Sequence, residues 1–351
     1  MPDIVILGAG VMGSAMTLPA AHKGARVTLV GTHLDVDIVR SVAETGVHPG
    51  LGIRLPSNVT ALQWTDFGAA VANSPDLLII GVSAAGVRWA IDRIVEDLRT
   101  PLPILIITKG VAPGNGSIEI LPSVIAREVE ARAGLSLPVS AVGGPCIAGE
   151  LAAMRDTSVV IAGSDPALLA RILGYLEAPF YHRRLSTDLL GVEICAAFKN
   201  FYAIAVGSVL GMLEREGKAG NGAVMNNLAA SAFCQALTEM TILVETLGGD
   251  PKTATGLAGA GDLYVTCLAG RNGRLGRLLG LGHAYSAAKR TYMAADTIEG
   301  AQLALEIGPT LNGMMTRGTL PADRLPLAAA IVSAICNDAP LRLEFDAFAR
   351  P

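Results

Sequence analysis

Ile4-Val5-Ile6-Leu7-Gly8-Ala9-Gly10-Val11-Met12-Gly13 is a short apolar run that ends in three glycines spaced G-x-G-x-x-G. Residues 11–23 read as helix, Gly24 is placed to stop it, and Arg26-Val27-Thr28-Leu29-Val30 reads as a second strand. Strand, loop, helix and strand in this order make a βαβ start. Gly8 permits the tight turn, Gly10 lets the backbone approach a pyrophosphate, and Gly13 lets the helix pack on the sheet. A helix N-terminus adds free N–H groups and partial positive charge, which favour phosphate. The glycine spacing alone is a weak signal. Its place between strand and helix is what points to a dinucleotide.

Apolar runs follow at residues 77–82, 104–108, 139–142 and 158–162, with helix-like stretches at 86–98 and 118–133 between them. Strands alternating with helices predict a mostly parallel, doubly wound sheet. After Thr187 no β-alternation is found. Residues 189–212, 228–247, 272–279 and 325–336 read as helices, and Gly248-Gly249-Asp250-Pro251 as a helix stop and a new start. The expectation is an α/β N-terminal Rossmann-type domain over 1–186 and an all-α C-terminal domain over 187–351. Residues 217–227, with three glycines and three asparagines, are expected to form a mobile loop.

A chain of 351 residues suits two domains. With 51% hydrophobic and 17% charged residues it is not a disordered segment. A net charge of -4 and 4% aromatics give no basis for nucleic-acid binding. The five cysteines are scattered without a CxxC, so neither a disulfide framework nor a zinc site is expected, and reduced thiols in a cytoplasm fit better. The apolar start lacks a basic n-region and carries Asp3, so it is not read as a signal peptide. Elsewhere no uninterrupted apolar stretch reads as long enough to span a bilayer, and stable membrane insertion is not expected.

The second strand ends in Val30-Gly31-Thr32-His33-Leu34-Asp35. An acid directly after this strand would hold a ribose 2′-OH. None is there, and Asp35 lies further along, whereas Thr32 and His33 suit a 2′-phosphate. The cofactor is therefore expected to be NADP or NAD, with NADPH favoured; the plainer reading of His33 is a surface loop residue. Lys109, in Ile106-Ile107-Thr108-Lys109-Gly110, and Ser83 stand at carboxyl ends of strands, where open α/β sheets bind ligands. Either is also an ordinary solvated residue at a strand end. Gly143-Gly144-Pro145-Cys146-Ile147-Ala148-Gly149-Glu150 can offer backbone N–H groups to a ligand. Cys146 within it reads as a small buried thiol rather than a nucleophile.

Lys199 lies in Gly191-Val192-Glu193-Ile194-Cys195-Ala196-Ala197-Phe198-Lys199-Asn200-Phe201. A lysine in so apolar a helix is costly unless it is paired or used. Desolvation makes its neutral form accessible, which suits proton exchange with an alcohol. The bland alternative is a structural Lys–Asp pair. In Gly256-Leu257-Ala258-Gly259-Ala260-Gly261-Asp262-Leu263-Tyr264-Val265-Thr266, Asp262 and Thr266 fall one helical turn apart, and Asp262 can pair with a catalytic lysine. Arg271 and Asn272, at an expected helix start, combine guanidinium, amide and helix dipole into a phosphate grip, although a lone arginine is more often a surface residue.

These blocks together resemble the NAD(P)-dependent glycerol-3-phosphate dehydrogenase family. The resemblance runs over nearly the whole chain, and Ile106–Gly110, Gly191–Phe201, Gly256–Cys267 and Thr297-Ile298-Glu299-Gly300 carry it far more specifically than the glycine loop. It implies reversible hydride transfer between NAD(P)H and dihydroxyacetone phosphate, giving sn-glycerol 3-phosphate in phospholipid biosynthesis by a cytoplasmic homodimer. It makes Lys199 the proton donor and acceptor, with Lys109 and Asp262 beside it in catalysis. Substrate contacts would come from Lys109, Gly144, Cys146, Lys199, Asn200, Asp262, Thr266, Arg271 and Asn272. Cofactor contacts would come from Gly8, Gly10, Val11, Met12, Gly13, Thr32, His33, Ser83, Lys109, Ala148, Arg271 and Glu299. Cys146 departs from the family's usual Ser, Thr or Asn, and Gly270 from serine, which leaves another short polyol phosphate open as substrate. A β-hydroxyacid dehydrogenase begins with a similar loop but has Lys-x-x-x-Asn on its catalytic helix, where this chain has Ala203 in place of the asparagine. A non-catalytic nucleotide sensor would lack the set Lys109, Lys199 and Asp262.

Overall fold

The computed structural model describes residues 1–268 and 270–348. The chain forms two compact units: Met1–Lys109 with Leu121–Leu189, and Gly110–Ile120 with Leu190–Pro351. The strands in chain order are β1 (Asp3–Leu7), β2 (Arg26–Val30), β3 (Val47–His48), β4 (Ile53–Arg54), β5 (Val59–Leu62), β6 (Leu77–Ile80), β7 (Ile104–Ile106), β8 (Val111–Pro113), β9 (Ile118–Ile120), β10 (Val139–Gly143), β11 (Thr157–Ala162) and β12 (Tyr181–Ser186).

The first unit is built on an eight-stranded sheet of order β12-β11-β10-β7-β6-β1-β2-β5. All its pairs are parallel except β10 with β11. Strands β6 and β7 are buried along their whole length, as central parallel strands covered on both faces should be. Its helices are α1 (Val11–Ala15), α2 (Thr17–Ala21), α3 (Val36–Thr45), α4 (Phe67–Val71), α5 (Val87–Asp97), α6 (Leu121–Ala133), α7 (Ala148–Ala152) and α8 (Pro166–Tyr175). In α5 the buried residues are Val87, Ala90, Ile91 and Ile94, one stripe at helical spacing.

Register sets where this sheet presents its loops. Leu7 pairs with Val30 and Ile80, and Ile80 with Ile106, so β1, β2, β6 and β7 end level. From β1 the chain builds outward to β2 and β5, then returns to place β6 on the other side of β1. That reversal is the switch point where open α/β sheets bind ligands.

The second unit contains α9 (Leu189–Glu216), α10 (Asn226–Thr246), α11 (Asp262–Leu268), α12 (Arg271–Gly280), α13 (Tyr285–Tyr292), α14 (Glu299–Thr316), α15 (Pro326–Cys336) and α16 (Phe345–Phe348). Its core is α9, fully buried from Gly191 to Ala205. Helix α12 crosses it at backbone contact, since a Cβ on Gly276 would lie 2.0 Å from the Ile204 carbonyl oxygen. Residues 217–225 form no helix, as expected of a glycine- and asparagine-rich stretch.

Two elements differ from the expectation. The helix expected over 118–133 begins at Leu121. Ile118-Glu119-Ile120 instead pairs antiparallel with β8, because alternating apolar residues after the Gly114–Ser117 turn suit a hairpin better than a helix start. This hairpin belongs with the helical unit: Arg317 Nη2 donates to the Gly116 carbonyl oxygen (2.5 Å). Strand β12 was not anticipated, since Tyr181-His182-Arg183-Arg184-Leu185-Ser186 carries the polar side chains of an edge strand. Among the described residues two helices, α9 and α10, are long and apolar enough to cross a bilayer by length and composition, each interrupted by charged residues; 83% of the most apolar window of α9 and 44% of that of α10 lie buried within the protein.

One buried carboxylate fixes the end of this helical unit. The N-cap of α15 supplies no side-chain hydrogen bond of its own. Glu239, on α10 and wholly buried, accepts instead from the N–H groups of Leu327 (2.7 Å) and Ala328 (2.8 Å) and from Gln235 Nε2 (3.0 Å). Burial pushes its carboxyl up from 4.5 to about 7, against the pull of those donors. The folded state therefore holds the proton more tightly than the unfolded one. Stability should fall as pH rises from about 4.5 to about 7, by about 3 kcal/mol from this group, and then level off. Denaturant midpoints across this range should show that slope, and Glu239→Gln should flatten it; an unchanged slope in the variant would assign it elsewhere.

Candidate active site

On the first unit the glycine loop follows β1. Gly8 adopts φ +116°, and a Cβ there would meet the Gly81 carbonyl oxygen at 2.7 Å. A Cβ on Gly13 would lie 2.0 Å from the Gly8 oxygen, so the loop closes on itself only with glycine at both positions. Gly10 is the extended N-cap of the helical stretch Val11–Ala21, and Ser14 N–H makes the first helical bond, to the Gly10 oxygen (2.9 Å). The N–H groups of Val11, Met12 and Gly13 are left at the open helix end. Nothing lies within 4 Å of a Cβ built on Gly10, so the loop has room for a pyrophosphate at its surface.

After β2, Asp35 turns inward. Its Oδ2 accepts from Thr32 N (2.8 Å), Thr32 Oγ1 (2.9 Å) and Ala9 N (3.2 Å). The Thr32 hydroxyl is thus engaged within its own turn. His33 stays exposed, its ring 5.7 Å from that of Trp89. Ser83, also exposed, follows β6 and leads into a 3-10 turn.

Lys109, half-buried just after β7, donates from Nζ to the Gly144 carbonyl oxygen (3.2 Å). Two separately chosen sequence candidates therefore meet. Gly144 adopts φ +107°, with Val159 Cα 3.3 Å from where its Cβ would be. Cys146 packs half-buried against the core, and Ala148 opens α7.

On the second unit Lys199 and Asp262 form a buried ion pair, with the lysine 8% and the aspartate 1% exposed. A π-helical turn, Leu257–Gly261, runs directly into α11 and sets Asp262 at its first position. Such turns break helical register and are frequent at functional sites. Thr266 Oγ1 donates back to the Asp262 carbonyl oxygen (2.7 Å). Burial pushes the nearby Cys267 thiol up to about 12 even with Lys199 pulling the other way, so it is not a thiolate nucleophile.

Beside this pair, Asn272 Nδ2 donates to Asn200 Oδ1 (3.0 Å) while Asn272 Oδ1 accepts from Gly300 N (2.9 Å). One amide chain thus joins α9, α12 and the first turn of α14. Arg271, the first residue of α12, is half-exposed, and its Nη2 lies 3.5 Å from Glu299 Oε1. Sequence reading picked these residues individually but not the amide chain, because no local spacing encodes it. It also missed His48, whose ring reaches the Ala9 carbonyl (3.0 Å), and a lone histidine in a hairpin carries no signal that could have found it. Among the described residues no group of His, Cys, Asp or Glu is arranged to hold a metal ion.

A buried lysine held by a carboxylate can exchange a proton at an oxygen, and an arginine at a helix N-terminus can take a phosphate. Residues 3–169 match the profile of the NAD-dependent glycerol-3-phosphate dehydrogenase N-terminus, and residues 188–343 that of its C-terminus. The chain is 34% identical over 279 residues to the NADP(+)-dependent glycerol-3-phosphate dehydrogenase of Archaeoglobus fulgidus, covering 80% of each chain. It is 30% identical to the glycerol-3-phosphate dehydrogenase [NAD(P)+] of Zymomonas mobilis, covering 95% of this chain and 88% of that one. The crystal structure of glycerol-3-phosphate dehydrogenase from Coxiella burnetii superimposes with a TM-score of 0.79 at 27% identity, covering 99% of this chain and 97% of that one. This chain belongs to the NAD-dependent glycerol-3-phosphate dehydrogenase family.

Proposed function

We propose that this chain catalyses the reversible reduction of dihydroxyacetone phosphate to sn-glycerol 3-phosphate with NAD(P)H, with Lys199 as the proton donor. The observation that carries this reading is the buried Lys199–Asp262 pair on an apolar helix. The nicotinamide cofactor, when bound, supplies the hydride. Lys199 Nζ gives its proton to the C2 carbonyl oxygen, which becomes the hydroxyl; in the oxidative direction the neutral amine takes that proton back. Asp262 compensates the ammonium charge and fixes the side chain. Arg271 takes the phosphate with the N-terminus of α12 behind it, and Thr266 Oγ1 has lone pairs left for the substrate. The Asn200–Asn272–Gly300 chain holds the lysine's helix and the arginine's helix in one arrangement.

The glycine loop with Val11 and Met12 takes the pyrophosphate. Ser83, Lys109 and Ala148 are assigned to the cofactor from the carboxyl edge of the sheet, Gly144 and Cys146 to the substrate, and Glu299 to the cofactor through its neighbour Arg271. NADPH is the favoured form because Asp35, the first acid after β2, is turned onto Thr32 and Ala9. No carboxylate directly after β2 then repels a 2′-phosphate, and His33 is exposed to receive it. The working enzyme is taken to be a cytoplasmic homodimer, which sedimentation at assay concentration measures.

His33→Asp places a negative charge at the proposed phosphate position. It should raise KM for NADPH by about tenfold or more while changing that for NADH far less. Equal changes for both cofactors would remove this loop from phosphate recognition. The experiment that tests the reaction itself is oxidation of NADPH and NADH with a panel of three- and four-carbon keto-phosphates.

A further inference from the structure

The Ala9 peptide, at the centre of the glycine loop, is gripped on both of its polar atoms. Its N–H donates to Asp35 Oδ2 (3.2 Å), and its carbonyl oxygen accepts from Ser14 Oγ (3.1 Å) and faces His48 Nε2 (3.0 Å). The remaining ring nitrogen of His48 decides the tautomer. Nδ1 lies 3.0 Å from Leu51 N, a donor, so Nδ1 carries the lone pair and Nε2 carries the proton that is given to Ala9. Both ring nitrogens are thus used on backbone, one within the histidine's own hairpin and one on the glycine loop.

That hairpin is β3–β4, a two-stranded element outside the eight-stranded sheet. His48 is wholly buried in it. A Cβ on Gly50, at the hairpin tip, would lie 3.3 Å from His48 Cε1 and 3.4 Å from Val11 Cγ1. The tip therefore rests against the same helix start that faces the pyrophosphate. A neutral imidazole locked by Leu51 is a rigid arm whose far end fixes one peptide of the loop.

We propose that His48 is a positioning residue for the cofactor: by donating to the Ala9 carbonyl, opposite the Asp35 contact, it presets the glycine loop before the pyrophosphate arrives. This rests on the reading that the loop over residues 8–13 binds NAD(P)H. Loop ordering that would otherwise occur on binding is already complete in the free protein, so the contribution falls on cofactor affinity rather than on the proton-transfer step.

The test uses the full chain with three variants. His48→Asn keeps an acceptor near the Nδ1 position for Leu51 N–H but is too short to reach Ala9. His48→Gln extends to the Nε2 position and restores a donor. Gly10→Val puts its Cβ where nothing lies within 4 Å, on an extended backbone (φ -64°, ψ 174°) that valine adopts, and fills the surface where the pyrophosphate would sit. NADPH fluorescence titration, steady-state kinetics and the Tm of cofactor-free protein are measured for each. His48→Asn should raise Kd and KM for NADPH about tenfold with kcat at saturating cofactor within about twofold, and His48→Gln should return both to within about threefold of wild type. Wild-type NADPH binding by His48→Asn, with binding lost in Gly10→Val, would overturn the role of His48 and leave the loop reading standing. Wild-type binding by Gly10→Val would overturn the loop reading itself. Loss of folded protein, or an equal fall in Tm for both histidine variants without recovery of KM in His48→Gln, would assign His48 to the fold and overturn the proposal.

Discussion

Replacing Lys199 with alanine is expected to lower kcat for dihydroxyacetone phosphate reduction by about 10³-fold, the usual reach of general acid–base catalysis. Cofactor affinity should stay nearly unchanged, because Lys199 on α9 is assigned to the substrate and the pyrophosphate to the glycine loop. The substitution also leaves Asp262, 1% exposed, without its cation, which is a destabilising change in a buried site. The Tm of Lys199→Ala must therefore be measured beside its turnover, and Lys199→Met, which keeps the stem, serves as a second variant. Folded protein that binds NADPH and does not turn over supports the assignment. Turnover near wild type in either variant would refute it.

The second large effect is expected at Arg271. A guanidinium forms two parallel hydrogen bonds to a phosphate, and at the N-terminus of α12 it adds to the helix dipole. Loss of a partly buried charged contact of this kind is worth about 2–5 kcal/mol, and each 1.4 kcal/mol is about tenfold. Arg271→Ala should therefore lower kcat/KM for dihydroxyacetone phosphate by about 30-fold or more. Unphosphorylated dihydroxyacetone should be a poor substrate for wild type and should lose much less on mutation. NADPH affinity is measured in parallel, because Glu299, the arginine's partner at 3.5 Å, is assigned to the cofactor. Equal proportional losses on the two substrates would show that Arg271 does not read the phosphate.

What the sequence made legible follows from which constraints are local. Gly8 and Gly13 are visible as letters because backbone atoms at 2.7 and 2.0 Å from their missing Cβ atoms admit nothing larger. Lys199 is visible because a charge amid Ile, Ala and Phe is an anomaly that burial explains only through a partner. The pairing with Asp262 was open to the sequence as well, as a lone carboxylate in a glycine-rich stretch; the fold adds that the pair is buried. The Asn200–Asn272–Gly300 chain could not be read, since it joins three helices whose residues have no common spacing. Strand β12 was hidden because an edge strand with solvated Arg and His side chains has no apolar alternation. The grouping of the β8–β9 hairpin with the helical unit is likewise a tertiary fact, held by contacts such as Arg317 to Gly116. Asp35 was read as too distant for a ribose; its carboxylate proves to be committed to the backbone of its own turn and of the glycine loop.

The most direct test of the account is cofactor oxidation by the purified chain with dihydroxyacetone phosphate, with the product identified. NADPH, and NADH less efficiently, should be consumed in one-to-one proportion with sn-glycerol 3-phosphate formed. Absence of oxidation with dihydroxyacetone phosphate, together with turnover of a longer keto-phosphate or an unphosphorylated hydroxyacid, would contradict it.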